Sequence, residues 1–301
     1  MGRLAIVTQS YRKDMRECEL LCESIQRFAP PHIPHYIFVN DEDYDLFRAN
    51  PRLNGCEIRR KGEVLPWYMF RFPMRILGHH YHLSPFTIPV REWIIQQICK
   101  LGVFDVLPDD IDTVMHVDSE CVFLRPFDED SVSRIRPDGG RDWVLYKRIW
   151  EDEPSHDEYM SVARRLLPIP ADNKIDGYTY MAQPTIMVKE NVRDMLRHIS
   201  ASSMLGDWRL KLSNTYRFSE FYLYCLYSEY ALNMRNHYLT DTRLLPVMHI
   251  ARFGDTAGLA HSIREKMSEY PYLGVCLQKG NRNEATSLTH DQIHDTVTSL
   301  F

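Results

Sequence analysis

Short apolar runs that end in polar clusters recur along the chain, and they predict buried strands. The first three runs are Leu4–Thr8, His35–Val39 and Thr113–Val117. Between the first two, apolar residues of Arg16–Phe28 recur at helical spacing, and Pro30 and Pro31 end that helix. The first 45 or so residues therefore predict a strand–helix–strand unit of an open parallel sheet.

The same alternation of strands and helices continues further along the chain. A short strand is predicted at Cys56–Ile58, and Arg59–Lys61 after it is interpreted as a solvated charge run. Later strands are predicted over residues 121–124, 143–146 and 180–188, and helices over 89–101, 159–167, 192–199, 218–227 and 261–270. The pattern predicts an α/β fold with a mixed, mainly parallel, Rossmann-like sheet flanked by helices in a single domain.

Two carboxylates follow one of these strands and form an acid-x-acid step. Asp118 and Glu120 flank Ser119 directly after Thr113–Val117. Carboxylates at the end of a buried strand lose hydration unless a cation or a donor meets them. The spacing favours a hard divalent ion that keeps open positions for phosphate oxygens. Two solvated acids at a strand end remain the alternative.

Polar residues also follow the first two strands. Ser10 and Tyr11 come after the first strand and Asp43 after the second. Ligands of open parallel sheets bind at the carboxyl ends of the strands, so we expect these side chains to face one cleft. The chain has neither a G-x-G-x-x-G turn nor a P-loop, which disfavours dinucleotide and ATP sites of those kinds.

Composition narrows the class of protein. The 301 residues are 44% hydrophobic, which is enough for a full core, and the net charge is −5. An acidic chain has no global footprint for nucleic acid, but a local basic groove at Arg59–Lys61, Arg71 and Arg75 stays open. No apolar run is long enough to span a membrane, and the chain starts directly in a strand, so we expect no signal peptide.

The seven cysteines are scattered and contain no C-x-x-C pair. This usage fits a reducing, cytoplasmic setting. Cys18 and Cys22 share a helix face and could hold a metal, but buried thiols are the favoured interpretation.

Four motifs in a fixed order carry a resemblance to a known family. They are Val-Thr-x-Ser-Tyr from Val7, W-x-x-Q-Q-x-x-K-L from Trp93, Asp118-Ser119-Glu120 followed by V-F-L-R-P-F, and S-E-x-x-x-Y from Ser219. Over roughly residues 3–255 the chain resembles a glycosyltransferase-like family of bacteria and phages. It is more distantly similar to glycogenin-like and lipopolysaccharide galactosyltransferases of the GT-A fold.

The resemblance implies a GT-A-like catalytic domain over residues 1–255. Residues 1–127 would form the nucleotide-sugar and metal half, and 128–255 the acceptor half. Residues 256–301 would be a C-terminal helix and tail that closes over the donor, forms a partner surface or frays.

The resemblance also implies a metal and an active-site acid. Asp118, Glu120 and His249 would hold Mn²⁺ or Mg²⁺, although the family pattern usually has Asp where Glu120 stands. A satisfied core histidine is the alternative for His249. Glu220 would lie in the active site, and Gln183 with Thr185 would approach the sugar; Ser219 could equally cap the helix that Glu220 begins.

The remaining candidates would bind the donor. They divide into groups near the base or ribose, groups near the phosphates, and neighbours that complete the site. These are Thr8, Ser10, Tyr11 and Asp43 for the first group, Arg91 and Lys100 for the second, and Gln97 and Ser119 for the third.

The predicted function is metal-dependent transfer of a sugar from a nucleotide-diphosphate sugar, with UDP-sugars first, to a glycan or lipid-linked hydroxyl. One alternative acceptor is a hydroxymethylated base of phage DNA, and another alternative is a non-catalytic sugar-nucleotide-binding module. A nucleotidyltransferase is disfavoured because no Gly-rich loop follows the first strand. The sequence leaves open whether the reaction inverts or retains configuration.

Overall fold

The computed structural model describes residues 3–76, 80–149, 154–169, 177–278 and 287–301. Its elements alternate along the chain much as the apolar pattern predicts. The strands are β1 (Arg3–Gln9), β2 (His35–Val39), β3 (Cys56–Arg60), β4 (Phe70–Arg71), β5 (Tyr81–Leu83), β6 (Val90–Arg91), β7 (Ile111–His116), β8 (Cys121–Phe123), β9 (Ser133–Ile135), β10 (Arg141–Tyr146), β11 (Arg148–Ile149), β12 (Tyr178–Thr179), β13 (Thr185–Val188), β14 (His237–Thr240), β15 (Val247–His249) and β16 (Gly274–Gln278). The helices are α1 (Met15–Phe28), α2 (Tyr44–Arg48), α3 (Glu92–Gly102), α4 (Pro154–Leu166), α5 (Lys189–Ala201), α6 (Trp208–Ser213), α7 (Glu220–Leu226), α8 (Thr256–Glu269) and α9 (His290–Thr298).

The main sheet has the strand order β3-β2-β1-β7-β13. The first four strands are parallel, and β13 pairs antiparallel with β7. The chain adds β2 and β3 on one side of β1 and then returns to add β7 on the other side. The order therefore reverses between β1 and β7, which is where open sheets of this kind bind ligands. The prediction of a mixed, mainly parallel sheet flanked by helices is confirmed.

Helices cover both faces of this sheet because its strands alternate apolar side chains to either side. Ala5 and Val7 belong to the core cluster that contains Ile95 and Ile98 of α3. Leu4 and Ile6 belong to the cluster that contains Leu21 and Ile25 of α1. Each such side chain stabilises the fold by about 1.5–3 kcal/mol when fully buried.

Two predicted elements differ from those observed. The strand predicted over 180–188 is shorter, because β13 begins only after Pro184, which lacks an N–H for the ladder. The helix predicted from Pro89 begins at Glu92, since Val90–Arg91 pairs with β5 instead. In both cases pairing across strands, which a local pattern does not contain, sets the boundary.

The described residues after 255, which are 256–278 and 287–301, are packed into the fold. β16 lies between β15 and β8 in a three-stranded sheet, and the sequence pattern did not indicate it as a strand. Val275 of β16 and Ile293 of α9 share a core cluster with Leu20 of α1. The helix predicted over 261–270 is confirmed in the longer α8. Across the described ranges, no helix has the length and apolar character needed to cross a membrane.

Candidate active site

Five polar side chains meet at the carboxyl edge of the main sheet, on the side covered by α3 and α7. We call them the carboxyl-edge cluster: Gln97, Lys100, Asp118, Gln183 and Glu220. β7 delivers Asp118, which follows His116, and antiparallel β13 places Gln183 beside it because Thr185 pairs with His116. Lys100 comes from the last turn of α3, and Glu220 from the first turn of α7.

Lys100 is the centre of the cluster. Its Nζ lies 3.1 Å from Asp118 Oδ1 and 3.0 Å from Glu220 Oε1, and 4.5 Å from the centroid of the Phe221 ring. Burial alone would lower the pKa of Lys100, but the carboxylates of Asp118 and Glu220 outweigh burial and raise that pKa. The buried cation is therefore permanently charged, and it compensates two carboxylates from separate elements.

Asp118 and Gln183 bind each other twice. The Gln183 amide donates to Asp118 Oδ2 at 2.5 Å, and the Asp118 backbone N–H donates to Gln183 Oε1 at 3.2 Å. The Asp118 side chain keeps 35% of its surface exposed, whereas those of Lys100 and Glu220 keep 7% and 6%. Asp118 is thus the carboxylate through which the cluster faces solvent.

Two polar residues fix the start of α7 and hence Glu220. Ser219 Oγ accepts from the Tyr222 N–H at 3.5 Å, so the predicted cap is confirmed. Gln97 Oε1 accepts from the Glu220 N–H at 3.1 Å, whereas Gln97 Nε2 is buried without a hydrogen-bond partner among the described residues. Glu220 is therefore held by α3 as well as by its own helix.

The end of β1 contributes two residues at the position where strand order reverses. Ser10 Oγ and both amide atoms of Gln9 are buried, and none of them has a hydrogen-bond partner among the described residues. Gln9 shares its face of β1 with Val7, which lies on the α3 side. Gln9 is not among the predicted site residues, although a polar residue that ends a buried strand is a signal for it. Unsatisfied buried groups of this kind require an explanation, and a ligand supplies one.

Three residues that were predicted to bind the nucleoside lie outside the carboxyl-edge cluster. Thr8 is fully buried on the opposite face, where its Oγ1 lies 2.9 Å from His35 Nε2. Asp43 is also buried, and it accepts from Arg12 Nε at 2.5 Å and Arg12 N at 3.1 Å. Tyr11 remains partly exposed beyond the end of β1. Thr8 is thus outside the cleft, because alternation along β1 points it away.

Arg91 and Lys100, which were both predicted to bind the phosphates of the donor, lie far apart on α3. Arg91 is exposed at the start of α3, and Lys100 lies roughly 13 Å further along the helix axis. Lys61, interpreted as part of a solvated run, is buried instead: its Nζ donates to Asn40 Oδ1 at 3.0 Å, and burial lowers its pKa. Parallel pairing of β2 and β3 brings these two strand ends together.

The two carboxylates of the acid-x-acid step lie in different surroundings, because Asp118 belongs to the carboxyl-edge cluster and Glu120 does not. Glu120 turns away from the cluster toward β16, where Cys276 Sγ lies 3.6 Å from its Oε1. Burial, with the nearby charge of Asp118, raises the pKa of Glu120 to about 7. Ser119, itself buried, and Glu120 line a cleft between α1 and α9. Two side-chain contacts join α9 to α1: His290 Nδ1 lies 3.3 Å from Glu17 Oε1, and His294 Nε2 lies 3.0 Å from Glu23 Oε2.

The three predicted metal ligands lie on or beside neighbouring strands, but their side chains do not form a metal-binding site. His249 pairs with Gln278 of β16, and the backbone oxygen of Glu120 accepts from the N–H of Leu277. Yet the ligand atoms of Asp118, Glu120 and His249 do not all lie within 4.8 Å of one another. Both Asp118 oxygens already meet donors, so this arrangement does not fit a bound divalent ion. Metal dependence of the reaction stays a prediction.

Comparison with known families gives one match that covers most of the chain. Residues 4–256 match the model of a family described as a family of unknown function (DUF6492). A comparison with curated proteins gives no match.

Proposed function

Because the chain belongs to DUF6492, a family of unknown function, we propose its activity from the site: transfer of a sugar from a nucleotide-diphosphate sugar to a hydroxyl acceptor. The observation that carries the proposal is the carboxyl-edge cluster, which lies beside the point where strand order reverses between β1 and β7. A charged, partly open cluster at that point is where an α/β sheet of this topology takes a ligand.

The GT-A-like assignment belongs to the same proposal. Parallel strands β3-β2-β1-β7, followed by antiparallel β13, suit the fold that the resemblance implies. The strand β7 that precedes the acid-x-acid step is also the strand next to the reversal. Sheet order therefore supports the proposal independently of the motifs.

The residues divide the work according to their exposure. Gln9, whose side-chain amide is unsatisfied on the α3 side of β1, would bind the nucleoside, whereas alternation places Ser10 on the side of Thr8. Asp118 is the accessible acceptor for ribose or sugar hydroxyls. Lys100, whose charge is already compensated by two carboxylates, would hold Asp118 and Glu220 in place.

Glu220 has a role that depends on the stereochemistry. If configuration inverts, Glu220 accepts the proton of the attacking hydroxyl, since Lys100 keeps it oriented toward the cluster. If configuration is retained, Glu220 and Gln183 hold the sugar and the acceptor instead. The same five residues of the carboxyl-edge cluster would take part in either an inverting or a retaining reaction.

We propose a glycan or lipid-linked sugar as the acceptor rather than modified DNA. The basic groove that a DNA backbone would need is largely neutralised. Arg59 binds Glu57 at 2.9 Å and Glu63 at 2.6 Å, Lys61 is buried, and Arg71 pairs with Glu42 and Glu92. Basic side chains that are already paired with carboxylates neutralise few phosphates and so release few counterions from DNA. They therefore contribute little to binding of the DNA backbone.

The test is hydrolysis of UDP-, GDP-, dTDP- and ADP-sugars with Mn²⁺ or with EDTA, for the wild type and Asp118→Asn. We expect slow release of one nucleotide, reduced about 100-fold or more in the variant, because Asn cannot replace the charged acceptor. Asp45→Asn is the matched control, since Asp45 is exposed on α2. The EDTA arm separately decides the predicted metal dependence.

A non-catalytic sugar-nucleotide-binding module is the second candidate. The unassembled ligands Asp118, Glu120 and His249 favour it, because a donor could bind without being activated. In that case one donor raises the melting temperature but is not hydrolysed. If no donor is turned over and none raises the melting temperature, both candidates are rejected.

A further inference from the structure

A second cluster of reactive side chains lies on the opposite side of the main sheet, under α1. We infer that Cys22, His35 and Cys56 bind a zinc ion, with Cys18 as the fourth ligand. Cys22 comes from α1, His35 begins β2 and Cys56 begins β3. Within the described part of the chain, these three form the group of His, Cys, Asp or Glu residues whose ligand atoms all lie within 4.8 Å of one another.

The distances between these atoms are those of ligands around one metal. Cys22 Sγ and Cys56 Sγ are 3.3 Å apart, and His35 Nδ1 lies 3.3 Å from Cys56 Sγ and 3.9 Å from Cys22 Sγ. Tetrahedral zinc with bonds of about 2.3 Å to sulfur and 2.0–2.1 Å to nitrogen separates two sulfurs by about 3.8 Å, and sulfur from nitrogen by about 3.5 Å. Shifts of a few tenths of an ångström complete the geometry.

The other nitrogen of His35 is held as zinc-bound histidines usually are. His35 Nε2 lies 2.9 Å from Thr8 Oγ1, so an Nε2–H can donate to the hydroxyl and leave Nδ1 free to bind metal. Ligating histidines commonly donate their second N–H in this way, which fixes both the tautomer and the ring orientation. Thr8 thus acquires a role that differs from nucleoside binding.

Cys18 would supply the fourth ligand after its side chain moves toward the other three. It lies one turn before Cys22 on α1 and is fully buried, but its sulfur is outside the group of ligand atoms that all lie within 4.8 Å of one another. The surrounding side chains are apolar, including Ile37, Val39 and Phe47. A ligand set of three cysteines and one histidine is typical of structural zinc.

A disulfide between Cys22 and Cys56 explains the cluster less well. A disulfide bond is about 2.05 Å long, so these sulfurs would have to approach much closer than 3.3 Å. It would also leave His35 Nδ1 without a function beside Cys56. A metal uses all four side chains, and it joins α1 to β2 and β3.

The experiment measures metal in the full chain purified under reducing conditions, without chelator, from zinc-supplemented medium. We expect one zinc per chain by elemental analysis. Replacement by Co²⁺ should produce the thiolate charge-transfer and tetrahedral ligand-field bands. Cys56→Ser, the least buried of the four ligands, should lose both signals. Cys99→Ala, a buried thiol on α3, is the matched control and should keep both.

Removal of zinc from the wild type by a chelator should lower the melting temperature, and this arm needs no substitution. Absence of zinc together with no cobalt charge-transfer band in the reduced wild type overturns the inference. So does unchanged metal content in Cys56→Ser. Recovery of a Cys22–Cys56 disulfide peptide from protein purified without reductant assigns the cluster to redox chemistry instead. None of these readouts depends on glycosyl transfer.

Discussion

Lys100 compensates two carboxylates that come from different parts of the chain. Asp118 and Glu220 are more than 100 residues apart, yet both lie about 3 Å from the same Nζ. Removing one partner of a buried ion pair is costly because the charges that remain are uncompensated. Loss of the Lys100 side chain should therefore destabilise the fold as well as disrupt the candidate site.

We predict that Lys100→Met lowers the free energy of unfolding by about 3–5 kcal/mol, as measured by urea denaturation. The double variant Lys100→Met with Glu220→Gln should recover part of this loss, since one uncompensated charge is removed. Lys13→Met, at an exposed position, should change stability by less than about 0.5 kcal/mol. A loss below about 1 kcal/mol for Lys100→Met would contradict the charge-compensation account.

At the scale of elements, β16 is the strand that joins the C-terminal segment to the remainder of the fold. It runs so close to β8 that a Cβ built on Gly274 would lie 1.9 Å from Val122 O and 2.7 Å from Phe123 Cα. Both neighbours are backbone atoms, which cannot rotate away. Glycine is therefore required for the close approach of the two strands.

Gly274→Ala should lower the free energy of unfolding by about 1–3 kcal/mol or more, since β16 and β8 must separate. Gly254→Ala is the matched control because a Cβ there meets nothing within 4 Å. Urea denaturation of both variants checks the prediction. Equal stability of the two would mean that β16 is not packed against β8 as described.

At the scale of the whole molecule, three of the buried histidines, on separate elements, have strongly lowered pKa values. Burial lowers the pKa of His82 to about 4, of His116 to about 3 and of His237 to about 4. For His116 the nearby Lys100 charge adds to the effect of burial. These side chains are neutral in the fold but take up protons near pH 6.5 once the chain unfolds.

The unfolded chain therefore binds more protons than the folded one between pH 6.5 and about 4, so stability should fall as pH drops through that window. At the acidic end of this window, each of these histidines lowers the free energy of unfolding by on the order of 1–3 kcal/mol. Urea midpoints measured from pH 7.5 to 4 should show the decline, with a shallower slope for His237→Gln. His261→Gln, an exposed position on α8, should keep the wild-type slope. An unchanged slope in His237→Gln would contradict the role of buried His237 in the loss of stability at acidic pH.

The sequence by itself determined the order of the elements and several members of the candidate site. Helical periodicity predicted α1, strand patterns predicted β1, β2 and β7, the motif order indicated Asp118 and Glu220, and the resemblance implied Gln183. Such features are readable because apolar periodicity and turn chemistry act over a few residues. Which of these residues share a site depends instead on contacts between distant segments.

Only the tertiary structure decided where side chains point and what they meet. It separated Glu120 from Asp118, directed Thr8 to His35, and joined Cys22 to Cys56 across 34 residues. It also inserted β16 beside β8, far from it in the sequence. The physical reason is that strand pairing and helix packing set the direction and partner of a side chain, whereas a local pattern encodes only its tendency to be buried.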